Sequence, residues 1–168
     1  MKIAFVCAGN ICRSPMAEAL LKEKLEERGI AGVHVSSCGL DADLWSTAEP
    51  RLRLVIGNAY RTLKDFRSRP ISEEIVRDAD LVLAMEARQV REIVSRFPEE
   101  RGKVATLTTY VGEEGDIVDF IDTQQGSFLE WLRSCYITID RCLDKLVERA
   151  SRPGFAASFF GVVGRKPS

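Results

Sequence analysis

Apolar residues in this chain gather into short runs separated by stretches with helical spacing. Residues 3–6, Ile-Ala-Phe-Val, form a continuous apolar run of strand length. Met16, Ala17, Leu20, Leu21 and Leu25 then recur at the spacing of one helix face, and Gly29 marks the end of that helix. Residues 33–37 read as a second strand and the apolar run at 80–85 as a third. Residues 86–97 read as a helix stopped by Pro98, 103–108 as a fourth strand, 116–126 as a loop and 128–149 as a long helix. Strands alternating with helices predict an α/β fold, a single doubly wound, mostly four-stranded parallel sheet with helices on both faces. Such sheets bind ligands at the carboxyl ends of their strands, which is where the first strand delivers residue 7.

Composition narrows the classes. The 168 residues, 45% hydrophobic and 29% charged, suit one globular domain. Residues 1–150 read as that domain. Residues 151–168 read as a tail that mixes Pro153, Gly154, Gly161 and Gly164 with the apolar Phe159, Phe160, Val162 and Val163. A net charge of −1 gives no general attraction to nucleic acid or an anionic membrane, so any bound anion must be met by a local site. No run of about 18 apolar residues is present to span a bilayer, and the opening apolar run is too short for a secretory leader. Five cysteines, at 7, 12, 38, 135 and 142, with the single His34, lack metal-site spacing. The expectation is no metal, no cofactor and a reducing, cytoplasmic setting.

The segment Cys7-Ala8-Gly9-Asn10-Ile11-Cys12-Arg13-Ser14-Pro15 carries the chemistry. It reads as a strand end, a tight turn and a helix start, with Ser14 as N-cap and Pro15 in the first helical position. Amides at a helix start form an anion site. Gly9 permits close approach of the backbone, and Asn10 tolerates a left-handed conformation. Arg13 adds a fork of donors suited to phosphate oxygens. A helix N-terminus and an adjacent cation favour the thiolate of a cysteine, which makes Cys7 a nucleophile. An isolated cysteine after a buried strand is more often an inert core thiol; the surrounding loop reverses that preference.

This loop resembles the signature of the low-molecular-weight protein tyrosine phosphatases, and the likeness continues through the chain to about Arg149. Ser37-Cys38-Gly39 stands where the family has Ser-Ala-Gly, and residues 80–85 match its Asp-hydrophobic-Met strand. The resemblance implies phosphomonoester hydrolysis through a phosphocysteine on Cys7. Arg13 and the amides of residues 8–14 would hold the phosphate, Ser14 would stabilise the thiolate, and Asn10 would lock the loop with help from Ser37. Phe66 stands where many relatives have a histidine that supports this asparagine. Cys12 would neighbour Cys7 and form a reversible protective disulfide with it. An Ile at position 11 implies phosphotyrosine as substrate, whereas Thr there goes with phosphoarginine.

Cleaving a phosphate ester also needs a proton for the departing oxygen. Asp119 is the leading general acid, in Ile117-Val118-Asp119-Phe120, which resembles the family's hydrophobic-x-Asp-Pro. Phe120 replaces the proline that would stiffen the turn, and Asp116 and Asp122 flank it as alternative acids. The pocket walls are expected from Ile11, Trp45, Phe120 and Ile121. The substrate is a phosphorylated protein or small phosphoester. A protein-arginine phosphatase stays open as the alternative substrate class, because the aromatic that the family has after its Asp-Pro is missing here, and two rivals remain beside it. A thioredoxin-linked arsenate reductase would use Cys135 and Cys142 as a relay, and a non-enzymatic phosphopeptide or oxyanion-binding module would have lost its acid.

Overall fold

The computed structural model describes residues 1–123 and 126–150, so the tail 151–168 lies outside the described residues. Four strands, β1 (Lys2–Cys7), β2 (His34–Gly39), β3 (Leu81–Ala84) and β4 (Val104–Thr106), form one parallel sheet in the order β2-β1-β3-β4. The expected α/β architecture is present. β1 is buried on both faces because its side chains alternate. Ile3, Phe5 and Cys7 face one apolar cluster, and Ala4 and Val6 face the other.

The first cluster lies beneath α1 (Arg13–Glu27) and the long C-terminal helix, which place Met16, Leu20 and Leu21 against Leu132, Ile139, Leu143 and Leu146. Between β2 and β3 the chain forms short pieces: a 3₁₀ turn Pro50–Leu52, α2 (Arg53–Ile56), a second 3₁₀ turn Gly57–Leu63 and α3 (Glu73–Asp78). These are too short for periodicity to reveal. α4 (Ala87–Arg96) covers the other face, starting from a capping box made by Glu86 and Gln89. α5 (Leu107–Tyr110) takes the end of the segment expected as strand. Thr106 ends the strand by accepting from the Thr109 amide at 3.1 Å. The segment expected as loop holds one helical turn, α6 (Phe120–Thr123), before α7 (Phe128–Ala150).

Glu113, just after α5, fastens that corner to α7. Hydrogen bonds from Arg141 and Lys145 hold its carboxyl down to about 2, well below its ordinary range. A depressed carboxylate stabilises the fold fully above its unfolded value and loses that contribution as pH falls through the folded one. Glu113→Gln should therefore lower the melting temperature at pH 7, with the deficit shrinking as pH falls from about 4.5 toward 2. An equal deficit at pH 7 and pH 3 would rule out the charge as its source.

Candidate active site

From β1 the chain crosses to β2 on one side, while β3 and β4 extend the sheet on the other. The carboxyl ends of β1 and β3 thus flank the topological switch point, where open parallel sheets hold ligands. β1 brings Cys7 to this crevice, and β3 is followed there by Met85 and Glu86.

The loop after Cys7 is pinned by its carbonyls. Leu40, Asp41, Glu49 and Met16 donate their amides to the carbonyls of Cys7, Ala8, Ile11 and Cys12 at 2.8–3.1 Å. Among the described residues, the amides of Ala8, Gly9, Asn10, Ile11 and Cys12 donate to no protein group. These free donors, at the start of a 15-residue helix, form an anion cradle. Helix α1 begins at Arg13 with Cys12 in the cap position, so Ser14 lies inside the helix and does not cap it. Its hydroxyl is committed elsewhere.

That commitment is to a buried hydrogen-bond chain. The Glu18 carboxylate, paired with Lys22 at 2.5 Å, accepts the Ser37 hydroxyl proton at 2.6 Å. The Ser37 oxygen in turn accepts from Asn10 Nδ2 at 2.9 Å, and the same amide nitrogen donates to Ser14 Oγ at 2.9 Å. Ser14 Oγ stands 3.0 Å from Cys7 Sγ and 3.4 Å from the Cys38 carbonyl; an ionised Cys7 can only accept, and then takes the Ser14 proton. Asn10 has φ +51°, the left-handed conformation anticipated for it. Its Oδ1 accepts the Arg69 amide at 3.0 Å, and Arg69 Nε donates to the Ser37 carbonyl. Asn10 thus has three partners, Ser14, Ser37 and Arg69, where the sequence left it to Ser37. Phe66 packs against the core.

Arg13 is 1% exposed, the largest fully buried side chain in the molecule's described part. Nη1 donates to Glu86 Oε1 at 2.6 Å and to the Ile117 carbonyl at 2.8 Å, and Nη2 pairs with Asp119 Oδ2. Burial alone would lower its proton affinity, but Cys7, Glu86 and Asp119 outweigh that and hold the guanidinium above its ordinary value. The two alternative acids are occupied elsewhere. Asp116 accepts from the Ala87 amide at the start of α4, and Asp122 pairs with Arg88, which also grips Glu86. Of the three carboxylates, Asp119 is the one that reaches Arg13.

The expected walls separate. Ile11 is part-exposed, and the segment from Asp41 to Glu49 is bonded to the loop at both ends, at Ala8 and Ile11. Trp45, on this arch, is 74% exposed and has φ +73°, a conformation a bulky residue adopts only under restraint. Phe120 turns away into a cluster with Phe128 and Trp131, and Ile121 points to solvent. All five cysteines are free thiols. Burial, with Cys7 nearby, pushes the Cys12 thiol far up. Cys135 and Cys142 are buried in α7, and burial raises them to about 12 and about 11, as suits core thiols.

Sequence reasoning did not single out Glu18, Arg69, Glu86 or Trp131. Glu86 alone left a usable signal, since it follows directly on β3 at the end of the sheet where ligands bind.

Comparison with known proteins agrees with this geometry. A family profile described as low molecular weight phosphotyrosine protein phosphatase matches residues 2–153. A protein-arginine-phosphatase from Bacillus subtilis is 43% identical over 120 residues, covering 71% of this chain and 79% of the relative. The low molecular weight protein-tyrosine-phosphatase Etp of Escherichia coli is 31% identical over 150 residues, covering 89% and 95%. The crystal structure of a low molecular weight protein tyrosine phosphatase from T. tengcongensis superposes with a TM-score of 0.79 at 35% identity, covering 89% of this chain and 99% of that one.

Gly39, at the end of β2, lies against the back of the cradle. A Cβ there would stand 2.3 Å from the Ala8 carbonyl oxygen and 2.9 Å from the Asn10 amide nitrogen, both backbone atoms that cannot swing away. Gly39→Ala should therefore displace the loop and weaken binding of inorganic phosphate by about tenfold or more, while costing roughly 1–3 kcal/mol of stability. Calorimetric titration would check this, and unchanged affinity would show that the cradle yields without loss.

Proposed function

The chain belongs to the low molecular weight phosphotyrosine protein phosphatase family and is a cysteine-based phosphoester hydrolase; on that basis we propose that it dephosphorylates phosphotyrosine in proteins, with Cys7 as nucleophile, Arg13 as phosphate clamp and Asp119 as general acid. The observation that carries the assignment is the buried hydrogen-bond chain Glu18, Ser37, Asn10, Ser14, which ends at Cys7 Sγ. A hydrogen bond from Ser14 stabilises the charged thiolate, and the free amides together with Arg13 meet the phosphate oxygens.

In the first step the Cys7 thiolate attacks phosphorus in line with the departing aryl oxygen. The S–P bond forms as the P–O bond breaks, and Asp119 gives its proton to the leaving oxygen. In the second, the Asp119 carboxylate takes a proton from water, whose oxygen attacks the phosphocysteine. Phosphate leaves and the thiolate is restored. Asp119 also occupies Nη2 of Arg13 in this structure, so a phosphate must displace it.

Two relatives named protein-arginine-phosphatases, 43% and 36% identical, favour phosphoarginine as a second reading. The part-exposed Ile11 favours tyrosine: its apolar side chain suits a phenyl ring and offers no acceptor to a guanidinium, whereas a Thr hydroxyl would. Five free thiols and the absence, among the described residues, of a helix long and apolar enough to cross a membrane support a reducing compartment, the cytoplasm, as its setting.

Three substitutions test the assignment. Cys7→Ser should abolish hydrolysis of p-nitrophenyl phosphate; residual turnover would reject the nucleophile. Asp119→Asn should slow phenyl phosphate by about 100-fold or more, and p-nitrophenyl phosphate less, because its leaving group needs little protonation. It should also tighten inhibition by phosphate, since a competing charge on Arg13 is removed; equal rates on both esters would reject Asp119 as the acid. A phosphotyrosine peptide should exceed a phosphoarginine peptide in kcat/KM, with Ile11→Thr narrowing the ratio. The reverse preference in the unaltered protein would move the substrate to arginine.

A further inference from the structure

The turn that carries Asp119 has no proline, and we propose that an aromatic clamp built on α7 aims the acid in its place, with Trp131 and Phe120 as positioning residues. The inference rests on Asp119 being the general acid. Trp131, 7% exposed, donates its indole N–H to the Val118 carbonyl at 2.9 Å, on the residue just before Asp119. Phe120, just after it, is wedged between two rings. It meets Phe128 edge-on at 5.2 Å between centroids and Trp131 at 5.7 Å, while Phe128 and Trp131 are themselves 5.2 Å apart. One neighbour of Asp119 is therefore held by a hydrogen bond and the other by ring packing.

The same turn is tied from the sheet side. The Ile117 amide donates to the Met85 carbonyl at 2.9 Å, and the Ile117 carbonyl accepts from Arg13. The Asp119 carbonyl accepts from the amides of Asp122 and Thr123. A proline would restrict one φ within the turn itself. The clamp instead fixes the turn from α7, across the 13 residues that separate Trp131 from Val118. Arg51 lies over the Phe128 ring at 3.9 Å, which connects the clamp to the segment bonded at Ile11.

Trp131→Phe keeps a ring in the cluster and deletes the indole donor. A positioning role predicts a kcat for phenyl phosphate lowered by about tenfold, a kcat for p-nitrophenyl phosphate changed less than about threefold, and phosphate inhibition within twofold of the parent. Placing proline at the next position in that background, Phe120→Pro, should recover part of the lost phenyl phosphate activity, because proline is accepted at the first position of a helical turn. If Trp131→Phe does not fold, Phe120→Leu, on the part-exposed side of the cluster, should show the same leaving-group pattern. Equal losses on both esters would mean that the rings only support the fold, and no loss on phenyl phosphate would mean that the turn aims itself; either result overturns the clamp. Asp119→Asn, measured alongside, separates the two readings. If it discriminates between the esters and the ring variants do not, only the clamp fails; if it does not discriminate, the acid assignment fails and the clamp with it.

Discussion

The buried guanidinium of Arg13 is the constraint around which the rest of the site is arranged. A cation at 1% exposure survives in a protein interior only when its donors are matched, because an unpaired buried charge is strongly destabilising. Its partners come from two distant parts of the chain: Glu86 after β3, and the acid turn, which supplies the Ile117 carbonyl and Asp119. One charge therefore holds together the helix that starts the cradle, the adjacent strand and the acid turn. Glu86 neutralises the inner side of the fork with a carboxylate that is itself saturated by Arg88 and Gln89. The outer side, at Nη2, is met by Asp119, whose side chain is more exposed than that of Glu86. On the proposed mechanism Glu86 is the permanent counter-ion of Arg13 and Asp119 the one that phosphate displaces.

The second organising element is polar but uncharged at its centre. Asn10 sits in a left-handed conformation that costs a non-glycine residue about 1–3 kcal/mol unless its surroundings hold it. Two buried hydroxyls, of Ser14 and Ser37, and the backbone amide of the exposed Arg69 do so. Glu18 accepts from Ser37, Asn10 Nδ2 donates to both serines, and a Cys7 thiolate, which can only accept, takes the Ser14 proton. Strain in the loop and polarity at the nucleophile thus share one cause. Gly39 closes the arrangement from behind, where backbone meets backbone and no side chain fits.

Much of this was legible in the chain. The strands and long helices followed from apolar runs and helical spacing, and the cradle from a turn, a helix start and an arginine in one short segment. Three features were not. The pieces between residues 50 and 63 run from three to seven residues, too short to leave a periodicity to read. Ser14 looked like a cap because serine before proline normally is one, but the tertiary demand of Cys7 and Asn10 takes its hydroxyl. The partners of Arg13 and Asn10 were hidden because they are distant in sequence: Glu86 lies 73 residues from Arg13, and Arg69 lies 59 from Asn10. Local pattern reports local structure, and pairing across a parallel sheet is non-local by construction.

The same distinction explains how the site divides its labour. Cys7 and Arg13 stand at the end of a central strand and the start of the helix that follows it, elements buried on both sides and fixed by the sheet register. Asp119, Ile11 and Trp45 stand on turns, and each turn is held by contacts from elsewhere: the rings of α7 for the acid, the Asp41 and Glu49 amides for the rim. Phosphate capture needs a rigid cradle, since donors contribute most when they require no reorganisation. Choice among phosphorylated side chains needs only that the rim change, and rim residues can be exchanged without disturbing the sheet. A family whose members carry both tyrosine and arginine phosphatase names is what such a division permits. In this chain the replacement of proline by Phe120 extends the principle to the acid turn, where restraint within one residue gives way to restraint by packing against α7.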